Sequence, residues 1–285
     1  MENTLGEFLR SRRARIRPED VGLPSYGRRR VPGLRREEVA QLAGVSADYY
    51  VRLEQGRGPS VSDAVLDAVA RVLGLNGVER EHLGLLARPP RDGVRPAAPG
   101  GEAGVRPGVR LLLHRMTEVP AFVLGRRMDV IAWNALGDAV NGFAALPPGE
   151  RNQAWQAFRN PRARELYPQW PTVAEETVSY LRLDAGRHPD DPRLAELVDE
   201  LCEHSPEFRR LWADHEVREK SWGRKLLRHP LVGELDFGYE TLALPGETEQ
   251  RLVAYTAEPG SPTAQRLALL ASWAAGSAEQ LEVDA

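Results

Sequence analysis

The stretch that decides the fold of the N-terminal part is Arg35–Gly56, RREEVAQLAGVSADYYVRLEQG. Gly44 divides it into two short helical patterns, because glycine readily adopts the left-handed conformation that ends a helix. Ser46 follows as an N-cap residue for the second pattern. Val45 and Leu53 are expected to fill the angle between the two helices. Two helices joined by a turn of about three to four residues form a helix-turn-helix, whose second helix can enter the major groove of DNA.

The end of this stretch carries a more specific signal. Leu53-Glu54-Gln55-Gly56 resembles the Leu-Glu-x-Gly end of the recognition helix in phage-repressor-like (XRE) domains. The resemblance implies that Glu54 is a buried acid paired with an arginine of the first helix, for which we choose Arg13. Apolar periodicity predicts five helices, so the N-terminal fold class is an all-α, five-helix, phage-repressor-like helix-turn-helix domain. The alternative is an αα-hairpin that only packs, because this geometry alone does not prove DNA binding.

Position on the recognition helix predicts which residues contact DNA. The helix offers Ser46, Ala47, Asp48, Tyr49 and Arg52. Arg52 is suited to guanine O6 and N7, and Asp48 to cytosine N4. Asp48 is equally suited to be a charge partner of the helix N-terminus. We expect phosphate contacts from Arg36, at the start of the preceding helix, and weaker ones from Arg57 and Arg28–Arg30.

The charge distribution divides the 285-residue chain. Residues 1–95 hold 17 arginines and 13 acidic residues, a net charge of +4, whereas the remainder holds 21 basic and 28 acidic residues, a net charge of −7. A basic N-terminal part suits contact with phosphate. Half of the residues in 89–108 are Pro or Gly, which predicts a linker. The predicted domains are 1–88, the helix-turn-helix domain, and 109–278, with a tail at 279–285.

Several classes of protein are excluded by what the sequence lacks. A single cysteine, Cys202, rules out an internal disulfide and a cysteine-built zinc site. No apolar run approaches the roughly 20 residues of a membrane helix, and the N-terminus lacks a signal-peptide pattern. We therefore expect a cytoplasmic protein that associates with the nucleoid when bound to DNA. His215-Glu216 lacks the second histidine of a zinc protease, Gly260-Ser261 lacks the pattern of a nucleophile elbow, and no phosphate-binding loop is present. We expect no enzyme, no cofactor and no metal site.

The C-terminal part alternates between strand and helix patterns. The predicted strands are Pro120–Leu124, Met128–Trp133, Gly233–Leu244 and Gln250–Ala257. The first two form a hairpin, and a long helical block precedes the last two. Apolar residues change parity within Gly233–Leu244, which predicts a bulge near Glu240. A final helix covers Thr263–Ala275. Strands at both ends with helices between them predict an α+β domain, an antiparallel sheet with helices packed on it.

Longer runs of this part closely resemble one family. They include PAFVLGRRMDVIAWNALGDAV (120–140), VSYLRLDAGRHPDDPRLAELVDEL (178–201), HPLVGEL (229–235) and VAYTAEPGSPTAQRLALLA (253–271). With GLRREEVAQLA at 33–43, they resemble the MmyB-like transcription regulators over nearly the whole chain. The resemblance implies an XRE domain followed by a PAS-like ligand-binding domain. It also implies sensing of a small hydrophobic ligand, fatty-acid-like or a secondary metabolite.

The candidate ligand-binding residues are Trp133, Asn134, Phe158, Trp222, His229 and Tyr239. The aromatic residues are candidates for lining a cavity between the sheet and the helices, and plain core packing is the favoured alternative for each. Asn134 stands at a strand-to-helix junction, where a helix cap is the main interpretation and a ligand hydrogen bond the lesser one. His229 and Arg224 are candidates for orienting a ligand carboxylate, or else are surface or loop residues.

The function predicted from these observations is sequence-specific regulation of transcription, with double-stranded DNA and a small hydrophobic ligand as partners. The alternative is a helix-turn-helix regulator whose C-terminal domain binds a protein. We expect a homodimer, because helix-turn-helix proteins commonly bind two half-sites about one helical turn apart. The Gly- and Pro-rich linker is unsuited to transmitting a rigid rotation, so a ligand signal is expected to pass through packed contacts.

Overall fold

The computed structural model describes residues 4–23, 31, 33–56, 61–88, 104–218 and 221–283. The chain divides into two compact units. The first unit comprises Met1–Pro96, Arg182–Arg193 and Arg210–Glu219, and the second comprises Ala97–Leu181, Leu194–Arg209 and Lys220–Ala285. The first unit therefore takes in two segments that are distant in sequence from its N-terminal part.

The N-terminal part of the first unit is helical, as predicted. Its helices are α1 (Thr4–Arg15), α2 (Arg36–Ala43), α3 (Ala47–Glu54), α4 (Asp63–Val72) and α5 (Gly77–Ala87). Gly44 ends α2 with φ of 70°, in the left-handed region that favours glycine. The amide of Val45 then donates to the carbonyl oxygen of Ala40 at 3.0 Å, which satisfies a free carbonyl of the helix end. This turn sets α2 and α3 as a helix-turn-helix.

The remaining elements follow in chain order. The helices are α6 (Pro107–Arg115), α7 (Ala135–Asn141), α8 (Gln153–Phe158), α9 (Ala163–Leu166), α10 (Trp170–Arg187), α11 (Pro192–His204), α12 (Pro206–Ala213) and α13 (Pro262–Val283). The strands are β1 (Ala121–Leu124), β2 (Val130–Trp133), β3 (Trp222–His229), β4 (Gly233–Leu244) and β5 (Glu247–Thr256). Helix α6 begins inside the segment predicted as linker, and residues 89–103 of that segment lie outside the described residues.

The core of the first unit combines residues from both ends of the chain. Phe8 of α1, Tyr50 of α3 and Leu83 of α5 are fully or almost fully buried in one apolar cluster. Leu183 and Val217 belong to the same cluster, with 4% and 1% of their surface exposed. Leu183 lies near the end of α10, whose residues up to Leu181 belong to the second unit. One continuous helix thus starts in the second unit and ends in the core of the first.

The second unit is built on a five-stranded antiparallel sheet with the order β2-β1-β5-β4-β3. The predicted hairpin of the first two strands is confirmed, with Phe122 opposite Trp133. Helices separate β2 from β3, so the chain crosses from one edge of the sheet to the other between these strands. The α+β fold class, with an antiparallel sheet and helices, is confirmed.

Both faces of the sheet carry apolar residues. Paired residues on adjacent strands point to the same side, so the pairing assigns each residue to one face. Ala121, Val123 and Leu252 form a cluster with Val109 and Leu113 of α6 on one face. Phe122, Phe237 and Tyr255 lie on the opposite face, which we call the aromatic face.

Two features of the sheet differ from the sequence-based expectation. Strand β3 was not predicted, because Arg224, Lys225 and Arg228 interrupt its apolar residues and its inward positions include Gly223 and Lys225. The bulge near Glu240 is wrong: pairing runs unbroken through this residue on both sides of β4, and the register shifts between Ala243 and Leu244. The apolar parity changes because Leu244 packs against the apolar cluster of α6, on the face opposite Phe237, whereas Leu242 is 53% exposed.

Candidate DNA interface and ligand-binding region

Helix α3 presents its predicted contact residues to solvent. Ser46 caps the helix, and its hydroxyl oxygen accepts a hydrogen bond from the amide of Tyr49 at 3.1 Å. Ala47, Asp48 and Arg52 are exposed, whereas Tyr49 is half-buried. Because Asp48 and Arg52 are four residues apart, they lie on one face of the helix. The base-reading role of this exposed polar face stays a prediction.

The buried carboxylate of Glu54 holds the helix-turn-helix together. Arg13 donates from Nε and Nη2 to the two carboxylate oxygens at 3.4 and 3.3 Å, which confirms the expected pair. Arg36 donates from Nε and Nη2 to Oε1 at 3.0 and 2.9 Å, and the Nε of Arg10 lies 3.8 Å from the same oxygen. Three cations therefore surround one anion, and the surplus positive charge lies beside the start of α2.

Arg36 belongs to this cluster, although 42% of its side chain is exposed. The neighbouring Glu54 carboxylate raises the pKa of Arg36, so the guanidinium stays charged. Sequence reasoning assigned Arg36 to phosphate alone and missed this second contact. Its phosphate contact stays a prediction, and so do those of Arg57 and Arg28–Arg30, which lie outside the described residues.

A second buried polar cluster in the first unit joins α1 to residues 210–219. The Nη2 of Arg12 donates to the carbonyl oxygen of His215 at 2.7 Å, and its Nε lies 3.0 Å from a carboxylate oxygen of Glu79. Arg15 forms an ion pair with Glu216 at 2.8 Å. These contacts attach the 210–219 segment to the helix that also supports α3.

The end of α10 enters the same cluster. Arg182 is buried, and its Nη1 lies 2.8 Å from Nδ1 of His215, which acts as the acceptor. The Cβ that any residue other than glycine would add at position 186 would lie 2.6 Å from the ring of His82. Burial, together with the charges of Arg182 and Arg12, lowers the pKa of both His82 and His215 to about 3. Both imidazoles are therefore neutral at pH 7. Sequence reasoning missed this cluster because its members are far apart in the chain.

The aromatic face of the second unit is a connected group of rings. Phe122 contacts Phe143 and Tyr255 edge to face, with ring centroids 5.2 and 5.6 Å apart. Phe237 stacks on Tyr255 at 5.0 Å, and Trp133 contacts Phe143 at 5.5 Å. Of these rings, the sequence reasoning selected only Trp133. Strict alternation of Val253 and Tyr255 in β5 was a signal that would have found Tyr255.

The structure brings only some of the six candidate ligand residues to this face. Trp133 and Tyr239 lie on it, and burial and the nearby Glu176 carboxylate raise the pKa of the Tyr239 hydroxyl. Phe158 belongs to another aromatic group, where it contacts Trp170 at 5.7 Å and Phe208 at 5.0 Å.

Two more of the six candidates, Trp222 and His229, and the further candidate Arg224 have different surroundings from those expected of ligand contacts. Trp222 points to the opposite face and is 68% exposed. The Nε2 of His229 lies 3.0 Å from the carbonyl oxygen of Ala139, and its Nδ1 accepts from the amide of Leu231. Arg224 pairs on the exposed face with Asp236 at 2.5 Å.

Asn134 is the helix cap that the main interpretation proposed. Its Oδ1 accepts from the amides of Gly137 and Ala121 at 2.7 and 3.0 Å. Its Nδ2 donates to the carbonyl oxygens of Met116 and Val119 at 2.6 and 2.8 Å. Two donors and two acceptor positions are all that an asparagine amide offers, so its capacity for a ligand is used up.

Comparisons with known proteins agree with this division of the chain. A helix-turn-helix domain model matches residues 4–83, and the model of the MmyB-like transcription regulator ligand binding domain matches residues 105–270. Curated proteins give no significant match. Within the described residues, no helix combines the length and the apolar character needed to cross a membrane. Since the ligand-binding-domain model covers more than half of the sequence and follows a DNA-binding helix-turn-helix domain, the chain belongs to the MmyB-like transcription regulators.

Proposed function

We propose that this chain is a sequence-specific regulator whose affinity for DNA is set by a small hydrophobic ligand bound in the second unit. The observation that carries this proposal is the course of helix α10. In the second unit, Arg251 of β5 donates to the hydroxyl of Tyr180 on this helix. In the first unit, Leu183 of the same helix packs in the core that supports α3. A ligand that displaces α10 would therefore act directly on the DNA-binding helices.

The DNA contacts are assigned by exposure and chemistry. Arg52 and Asp48 are the base-reading residues, and Ser46, Ala47 and Tyr49 lie beside them at the start of α3. Arg36 contacts phosphate with the part of its guanidinium that is exposed, and Glu54 holds it in place. The flanking Arg57 adds a further phosphate contact in this proposal.

The ligand is assigned to the aromatic face of the sheet. The rings of Trp133, Phe122 and Tyr255 pack together on this face, and a site lined by such rings would favour a hydrophobic molecule of the fatty-acid or secondary-metabolite type. Tyr239 lies on the same face and adds a polar group.

We further propose a homodimer, because two recognition helices are needed to read two half-sites. Helix α6, which begins inside the predicted linker, exposes Leu111 and Leu112 at 58% and 50%. These leucines support a contact between copies at this helix.

The direct test asks whether the ligand changes the affinity of the protein for operator DNA. Small molecules are extracted from the purified full chain and identified by mass spectrometry, and operator affinity is compared for stripped and reloaded protein. We expect a change of about 5- to 150-fold. The response should survive insertion of several Gly-Ser residues in segment 89–103, because α10 rather than the linker carries the signal. Loss of the response in the lengthened protein, with both units folded, would assign the signal to the linker instead.

The competing function is recognition of a protein by the C-terminal part. Leu269 and Trp273 of α13 lie four residues apart and are 53% and 50% exposed, which suits a protein contact. Absence of any extractable ligand, together with equal operator affinity before and after stripping, would favour this alternative.

A further inference from the structure

Three arginines from two helices meet at the carboxylate of Glu54, the last residue of α3. Arg10 and Arg13 are three residues apart on α1, so they lie on the same face of that helix. Arg36 is the first residue of α2. The two helices therefore bring their cations to one anion at the C-terminal end of α3.

The three arginines differ in their access to solvent. Arg13 is buried, and it donates to both oxygens of the carboxylate and to the carbonyl oxygen of Leu34 at 2.6 Å. The side chains of Arg10 and Arg36, in contrast, are 59% and 42% exposed. Arg13 therefore neutralises Glu54 inside the unit, whereas the other two guanidinium groups reach the same carboxylate from the solvent side.

The exposed pair carries a surplus of positive charge, because one carboxylate supplies only one negative charge. Arg36 donates from Nε and Nη2 to Oε1 of Glu54, and the Nε of Arg10 lies 3.8 Å from the same atom. Since both approach one oxygen, the two guanidinium groups lie side by side although like charges repel. Within the part of the chain that the structure describes, neither forms an ion pair with a second carboxylate. An arginine offers five N–H donors, so each keeps donors for an anion from outside.

We propose that Arg10 and Arg36 form a clamp for a single DNA phosphate, with Glu54 keeping the two guanidinium groups in place. This clamp rests on the proposed function and adds a DNA contact from α1, a helix outside the helix-turn-helix pair. The helix before the recognition helix crosses the DNA backbone in such proteins, which brings the start of α2 close to phosphate. A phosphate has two unesterified oxygens, so it accepts a charge-assisted hydrogen bond from each arginine and supplies the missing counter-charge.

The test measures how Arg10→Ala changes the affinity for DNA and the dependence of that affinity on salt. The full chain is titrated by fluorescence anisotropy with two labelled duplexes, one carrying the motif that the wild type selects and one with a shuffled sequence. Salt is varied from about 50 to 200 mM. We expect Arg10→Ala to bind both duplexes about 10-fold more weakly, near the lower limit for a hydrogen bond to a charged group. The slope of log affinity against log salt should fall by about one, with the preference between duplexes unchanged.

Arg71→Ala is the matched control, because it removes an exposed arginine of α4 that is not among the cations around Glu54. It should leave the salt dependence unchanged. Combining Arg10→Ala with Arg36→Ala distinguishes one shared phosphate from two. A shared phosphate predicts a loss clearly smaller than the product of the two single losses, because either substitution already opens the clamp.

The possible results separate the clamp from the function on which it rests. Wild-type affinity and salt dependence in Arg10→Ala, with a loss in Arg36→Ala, would overturn the clamp and leave the DNA-binding function intact. Losses that multiply in the double variant would also overturn it, since each arginine would then act on its own phosphate. Failure of the wild type to bind either duplex would overturn the proposed function together with the clamp. Circular dichroism checks folding, and Arg10→Gln replaces the alanine variant if that protein does not fold.

Discussion

Leu183→Ala tests whether α10 completes the core of the DNA-binding unit. Leu183 is 4% exposed and belongs to the apolar cluster that contains Phe8 of α1 and Leu83 of α5. The substitution removes three carbon atoms, worth about 0.8 kcal/mol each when buried. Incomplete collapse of the cavity adds to this loss, so we expect a free-energy cost of about 3 kcal/mol, within the roughly 2–5 kcal/mol typical of such changes.

Native-state hydrogen exchange measured by mass spectrometry locates this cost. Amide protection should fall in α1 and α5, more than 90 residues before the substitution, as well as at the end of α10. Leu231→Ala is the matched control, because that leucine is 70% exposed between β3 and β4 and its loss should change protection by no more than about 0.5 kcal/mol. Unchanged protection of α1 and α5 in Leu183→Ala, with loss confined to α10, would refute the shared core.

Three further outcomes follow from the structure. Glu54→Gln removes the anion between Arg13 and Arg36. Because this leaves the buried Arg13 charge unpaired, the free energy of unfolding in urea should drop by about 3–5 kcal/mol. A drop below about 1 kcal/mol would contradict the role of Glu54 in holding the helix-turn-helix together. Acid should weaken the fold: His82 and His215 stay neutral in the folded chain but gain protons below about pH 6.5 when unfolded, so stability is full above that pH and declines towards pH 3. In His82→Asn, the free energy of unfolding measured in urea should decline less steeply between pH 7.5 and 5. A decline as steep as that of the wild type would refute the role of His82 protonation. Sedimentation should find a dimer on operator DNA, and a monomer both free and bound would count against it.

The helix-turn-helix was predictable because its determinants are local. Gly44 ends one helix, Ser46 caps the next, and the spacing of Val39, Tyr50 and Leu53 gives the buried side. Each of these signals acts within a few residues, so the sequence contains them directly. The pairing of Glu54 with Arg13 came from resemblance to a known class rather than from the local pattern.

What escaped prediction depends on contacts between distant residues. Strand β3 forms because β4 offers it an edge to pair with, although its own sequence, which includes Arg224, Lys225 and Arg228, lacks an apolar alternation. Leu183 and Val217 read as members of the C-terminal part, and only the folded chain places them in the first unit. Trp222 was a candidate for lining a cavity, but the structure exposes 68% of it. An aromatic residue at the start of a strand gives no indication of which face it occupies.

The central claim is that the exposed face of α3 reads DNA sequence, and Arg52→Ala tests it most directly. Binding sites are selected from a random duplex library with the wild type, with Arg52→Ala, and with Arg36→Ala as the phosphate control, and affinities are measured at fixed salt. We expect the wild type to select one motif and Arg52→Ala to bind it about 1–3 kcal/mol more weakly, with relaxed preference at one base position. Arg36→Ala should weaken all sequences alike and keep the motif. Selection of the same motif with the same affinity by Arg52→Ala would contradict the assignment of α3 as the recognition helix.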